Sequence, residues 1–328
     1  MTKTDNKKKR RRALLIPLLF SAFFLITTSY AWFSANRMVN VESLNVHVQS
    51  EGGLEVSTNA IDWKQVVNVQ DIMDARTKYA NSVNQIPYEM SPVSTGGDTS
   101  NGKMAMFLGN ATSNDDGDFV LEANQSIETE SFGESSDGEF IVFDIFFRVK
   151  ANKELYLDGD SKVEYTGDRT NGIENATRIA FVIEGNSVDE PNISQNLNNA
   201  SSVIFWEPNY DVHTVHGVDH ARNTYGITTS QTGGSLIPYS GVISNITTAN
   251  GVLVGNATQA SYPSYFKNMT MNITTPLNGA TNQKILDLTP SVTKVRVYLW
   301  IEGQDVDCED YASYGDITFD MRFTTDPS

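Results

Sequence analysis

The sequence predicts an all-β fold: an antiparallel β-sandwich of jelly-roll type with long loops and one short helix, preceded by an N-terminal apolar helix. Three observations predict it. Apolar residues recur with a period of two in several segments. Stretches rich in Gly, Asn, Asp and Ser separate those segments. No linker interrupts the strand pattern from Val39 to Phe323, so residues 32–328 read as a single extracellular domain.

The N-terminus comes first and is of another kind. Lys7 to Arg12 is a run of six basic residues, followed by an apolar core of 14, Ala13 to Ile26. That is too short to cross a bilayer comfortably and has the build of a secretory signal. Ser29 and Ala31 supply small residues at −3 and −1, which sets cleavage between Ala31 and Trp32. The alternative is a retained anchor, Ala13 to Phe33, with its positive side inside. Membrane contact is expected only through this segment. The whole chain of 328 residues carries a formal charge of −16, with 24 basic and 40 acidic residues. Seven of the basic residues and one of the acidic ones precede Trp32, leaving 17 and 39, a net −22 for the remainder. Such a surface repels nucleic acid. The single cysteine, Cys308, excludes an internal disulfide and reads as a small buried residue.

Val39 to Val48 is the first strand. Its phase slips between Val41 and Leu44, which predicts a bulge or bend there. Trp63 to Val83 is the most helix-like stretch, with Ile72, Ala75, Tyr79 and Val83 at helical spacing and Pro87 beyond. Phe140 to Val149 presents Ile141, Phe143, Ile145, Phe147 and Val149 on one apolar face. In 317–324 and 295–301 apolar and polar residues alternate, the pattern of half-solvated antiparallel strands. Long decorated loops are expected between about 186 and 290. RIAFVIEG (178–185) echoes RVYLWIEG (296–303). Either two core strands share a pattern by convergence, or the sandwich is pseudo-symmetric.

The run T-x-Y-A-W-F-S, Thr28 to Ser34, resembles the end of the signal peptides on Firmicutes proteins processed by the dedicated signal peptidase SipW. The group that includes the biofilm fibre protein TasA and the camelysins carries such peptides, and the likeness is remote. VRVYLWIEGQDVDCEDY (295–311), FWEPNYDVHT (205–214) and YEMSPVST (88–95) are similar to landmarks of uncharacterised exported Firmicutes surface proteins. The resemblance implies export from a Gram-positive cell, contact with signal peptidase, and an extracellular or cell-surface location.

No HExxH, GxSxG, Walker loop or GxGxxG occurs, and the chain reads as a non-enzyme. Three of four histidines crowd into one segment: His213, His216 and His220, with Asp211 and Asp219 beside them. Imidazoles near carboxylates are zinc-type ligands. On a helix His216 and His220 would share a face, but Gly217 between them and Asn209-Tyr210 before them point to a loop. Asp305, Asp307, Glu309 and Asp310 are the densest acidic set, beside the turns NDDGD (114–118) and LDGDS (157–161). Calcium is a possible cofactor for such loops, with none required. Nine N-x-[ST] sequons would mark no site in a bacterial host and glycosylated surface in an archaeal or eukaryotic one.

The function expected is that of a structural surface or matrix protein, a homo-oligomer or homopolymer assembled through its N-terminal strand. Val39, Val41, Leu44, Val46 and Val48 would fill pockets on a neighbouring sheet edge. One alternative is an adhesin that binds carbohydrate or protein, with Trp206, Tyr210, Tyr225, Tyr262 and Tyr265 available to sugar rings. The other is a metal-dependent hydrolase built on the three histidines.

Overall fold

The computed structural model describes residues 39–49, 53–128, 138–166, 172–308 and 316–327. The signal segment, the Ala31/Trp32 bond, Glu309 and Asp310 lie outside them. The described chain is mostly strand, arranged in several sheets, with a few short helices.

The first large sheet has the path β19 (Gln283–Leu288), β12 (Lys153–Leu157), β21 (Asp316–Thr324), β1 (Val39–Val48), β3 (Val66–Asn68). β13 (Lys162–Thr166) adds to β21, and β5 (Glu89–Met90) adds to β1. The second large sheet runs β18 (Ile273–Thr275), β15 (Ser202–Pro208), β14 (Thr177–Ser187), β20 (Val292–Ile301), β11 (Ile141–Arg148), β2 (Glu55–Ser57), with β4 (Asn84–Gln85) beside β11. A small sheet holds β10 (Phe119–Ser126), β9 (Met106–Ser113) and β6 (Val93–Ser94). Two pairs complete the set: β16 (Ser240–Val242) with β17 (Phe266–Asn268), and β7 (Thr99–Ser100) with β8 (Lys103–Met104).

Two pairings depart from the antiparallel expectation. β1 runs parallel to β21, and β15 runs parallel to β18. A first strand cannot join a last one through a hairpin, so either direction was open to it.

The inner faces of the two large sheets share one apolar cluster, from Leu44 and Val46 on β1 to Phe319 and Phe323 on β21, and from Phe147 on β11 to Val297 on β20. Phe323 makes edge-to-face contacts with Phe147 at 5.1 Å and Phe181 at 5.7 Å, the geometry that aromatic quadrupoles favour. The outer face of the second sheet is covered as well. Val93, Met104 and Met106 of the small strands pack on Val142, Tyr298 and Trp300. β20 is therefore buried along its whole length. The alternation in 295–301 does not mark a half-solvated strand, because its polar members are packed under a further layer. β21 keeps the expected pattern, with half-buried residues alternating with buried ones.

The helix expected over 63–83 is shorter. β3 ends at Asn68, which caps α1 (Val69–Asp74) in a reciprocal box with Asp71. A single 3-10 turn follows at Ala75–Thr77. Ile72, Ala75 and Tyr79 are buried, as their spacing requires. α2 (Pro191–Ser194) is one turn, and α3 (Val215–Tyr225) lies where a loop was expected. No helix among the described residues is long and apolar enough to cross a membrane.

Candidate functional site

The site grows from the two echoing segments, which are neighbours. β14 and β20 pair antiparallel with Arg178 opposite Trp300, Ala180 opposite Tyr298 and Val182 opposite Arg296. A local two-fold through the Ala180/Tyr298 pair brings each arginine toward the glutamate of the other segment. Arg178 falls at the Glu302 end, and Arg296 at the Glu184 end. All four are buried beneath the outer layer. Charges held there must be paired or neutralised.

At the Arg178 end both charged groups are paired, while Arg178 Nε and the Tyr239 hydroxyl lack a hydrogen bond. Arg178 Nη2 donates to Glu207 Oε1 at 2.9 Å and to Asp305 Oδ2. Nη1 donates to the carbonyls of Asn175 and Thr177 at 2.8 and 2.9 Å. The guanidinium lies over the Tyr239 ring at 5.3 Å. Glu302 accepts from Trp300 Nε1 at 2.9 Å and from Gln304 N at 3.1 Å. Burial pushes the carboxyls of Glu207 and Glu302 up to about 7.

At the Arg296 end the acid is Asp144, directly across the strand pair. Its Oδ1 accepts Arg296 Nε at 2.8 Å. Its Oδ2 accepts the Tyr79 hydroxyl at 2.8 Å and Arg296 Nη2 at 3.3 Å, with Lys294 Nζ also at 3.3 Å. Burial alone would raise Asp144, but Arg296 and Lys294 hold it below the usual carboxylate range. Lys294 also donates to the carbonyls of Leu197 and Gln195 at 2.6 and 3.2 Å. Glu184 differs from Glu302. It is the extra residue of a bulge between Ile183 and Gly185, and neither of its oxygens accepts a hydrogen bond. Burial pushes it up to about 7. Gly102 is required beside it: its φ is +72°, and a Cβ there would lie 2.5 Å from Glu184 Oε2. Next to this end opens a cavity of about 330 Å³, reached by Lys294, Arg296 and Glu128.

The sequence-derived candidates fall as follows. His213 is buried, with Nδ1 2.9 Å from Asp307 Oδ2 and Nε2 donating to the Ser235 carbonyl at 3.0 Å. Burial lowers and Asp307 raises the imidazole pKa, the second effect winning, while burial raises Asp307, so the pair holds a proton tightly. Asp307 Oδ1 accepts Thr214 N at 2.7 Å at the start of α3. His216 and His220 sit on α3 itself, His216 exposed and His220 half-buried. The loop reading is corrected here: Gly217 is inside the helix because a Cβ would lie 2.1 Å from Asp307 Oδ1. Asp305 and Asp307 turn inward to Arg178 and His213. Among the described residues, no group of three or more His, Cys, Asp or Glu is arranged to hold a metal.

NDDGD is a turn closed by Asn114, whose Oδ1 accepts the amides of Asp116 and Asp118 at 3.1 and 2.8 Å. In LDGDS, Asp158 accepts Asp160 N at 2.8 Å and Gln49 Nε2 at 2.9 Å. Cys308 is buried. Trp206, offered above to sugar rings, is wholly buried with Nε1 donating to Thr275 Oγ1 at 2.9 Å. Tyr262 and Tyr265 pack on the main core.

The assembly strand is inside its own sheet. β1 pairs with β21 along one edge and with β3 and β5 along the other. Val39, Leu44, Val46 and Val48 are buried, and Val41 is half-buried. The expected bulge is present, between Val41 and Ser43. The echo located the two arginines, but sequence reasoning missed their pairing with Asp144, Glu207 and Asp305, which are remote in sequence. No protein-family model, curated protein or solved structure matches this chain.

Proposed function

We propose that this is an exported, non-catalytic structural protein of the cell surface or matrix, which assembles into fibres or a layer by exchanging β1 between copies. In this reading the two large sheets form a jelly-roll-like sandwich, and β1 is the strand that moves. One observation carries it: the first strand of the described chain lies in the interior of a sheet, with both edges bonded and four side chains in the core. Withdrawing it would leave β21 with an open edge and a row of apolar sockets, a site that fits the same strand from another copy. Exchange of identical elements uses contacts that already exist in the monomer. The resemblance of Thr28 to Ser34 to a fibre-protein export signal supports the same reading, with the strand tethered until the signal is removed.

Deleting β1 is a poor test, because the deletion also removes part of the core. A covalent lock is cleaner. Ser43 Oγ donates to Thr318 Oγ1 at 3.3 Å across the β1/β21 pair. Ser43→Cys with Thr318→Cys, in a Cys308→Ala background, is expected to form an intrachain disulfide in oxidised monomer and to block filaments until reduced. Filaments grown reduced and then oxidised should run as a ladder of linked multimers on a denaturing gel. Filaments built from locked monomers would sink the proposal, as would oxidised filaments that release only monomers.

A further inference from the structure

We propose that the cavity beside Asp144 binds a neutral, hydroxyl-rich ligand, namely a mono- or disaccharide unit. Its volume of about 330 Å³ is at the small end of ligand sites. Six of its lining residues are carboxamides from three parts of the chain, Asn81 and Asn84, Asn101, and Gln195, Asn196 and Asn198; Asn84, Gln195 and Asn196 also donate to backbone carbonyls. An amide offers both donors and an acceptor, as a vicinal diol does, so alternating hydroxyls find complements without a net charge. At the rim Asn81 Nδ2 lies 3.5 Å from Asn196 Oδ1, near enough for both to reach one ring.

The wall also carries Arg76, Lys103, Lys294, Arg296 and Glu128, and each of these cations already interacts within the chain. Lys294 and Arg296 are bound to Asp144. Lys103 Nζ lies 3.3 Å from Glu128 Oε2. A phosphate or carboxylate would have to break these pairs to gain a cation. One polar atom of a lining residue lacks a hydrogen bond: Ser82 Oγ, of a residue 6% exposed. A buried polar atom without a partner is costly, and a ligand hydroxyl would satisfy it. The site stands apart from β1, so it is independent of strand exchange.

The test is saturation-transfer NMR with calorimetry on the full chain. The probes are glucose, galactose, N-acetylglucosamine, xylose, maltose and cellobiose, with inorganic phosphate and glycine as charged counterparts. At least one sugar is expected to bind, and neither charged probe. Asn81→Leu and Asn196→Leu, both at the rim, should each weaken the sugar about tenfold, the effect of losing one or two hydrogen bonds. Ser82→Ala should weaken it several-fold while the melting temperature stays level or rises, since an unsatisfied atom is removed. Binding of no sugar, binding of phosphate or glycine instead, or sugar binding unchanged in the Asn81 and Asn196 variants would overturn the proposal.

Discussion

The two ends of the β14–β20 pair begin from the same residues, an arginine on one strand and a glutamate on the other, and finish differently. At the Arg178 end, Glu207, Asp305, Trp300 and Gln304 pair both charges with protein groups, and the atoms left over are Arg178 Nε and the Tyr239 hydroxyl. At the Arg296 end, Asp144 satisfies the arginine and is itself held by Lys294 and Tyr79, neither oxygen of Glu184 accepts a hydrogen bond, and Arg296 and Lys294 line a cavity. A repeated sequence fixes which residues are buried and how far apart they lie. It does not fix what is built over them. One end is built over with charged partners, and the other borders the cavity for which a ligand is proposed above.

The largest difference should come from deleting each arginine. Arg178→Met strands Glu207 and Asp305 away from water, and a loss of about 3–5 kcal/mol is expected. Arg296→Met leaves Lys294 and Tyr79 on Asp144 with the cavity nearby, so about 1–3 kcal/mol is expected. Urea unfolding of both variants decides it, and equal losses would erase the distinction. The pH dependence sharpens it next. Burial holds Glu184 and Glu302 near 7, against an ordinary value of 4.5. The folded state therefore binds more protons between those values, and stability falls as pH rises from about 4.5 to 7. Each group accounts for on the order of 3 kcal/mol of that fall. Melting temperatures of the double Glu→Gln variant should decline less steeply over that window. Some slope should remain, because Glu207 and His213 are shifted upward too. An unchanged slope would show that these two carboxyls are not the titrating groups. The smallest effect lies in the single variants above pH 7. Glu302→Gln turns an amide toward the donors of Trp300 or Gln304 and should lose about 1–3 kcal/mol. Glu184→Gln breaks no hydrogen bond and should be neutral or stabilising. The reverse order would mean that Glu184 has a donor in solution.

Much of this was legible in the chain. The phase slip at Val41 to Leu44 carried the bulge, because a period-two pattern cannot skip a beat without an extra residue. The apolar face of 141–149 lies in the core as read. β20 was misread for a definite reason. Lys294 and Arg296 look like solvent positions unless their partner is known, and Asp144 is 152 residues from Arg296. Gly217 hid α3 because an interior glycine reads as a breaker, whereas here it gives way to the Asp307 carboxylate. Gly226, with φ of +67° just past Tyr225, was the terminating signal available in the sequence. The cavity could not be seen at all. Its loops meet only through the fold, and asparagines scattered from 81 to 198 carry no spacing that would join them.

The parallel bond between β1 and β21 also sets a clock. Val41 is matched to Ile317 and Val48 to Phe323, so β1 has no long partner until Asp316–Thr324 is available. On the export proposed above, Val39–Val48 would leave a translocation pore well before Asp316–Thr324. Pairing over such a separation is slow, because a very long loop must close first. Under that proposal the opening strand would wait unmatched outside the cell, and each emerging molecule would choose between its own β21 and that of one that arrived before it.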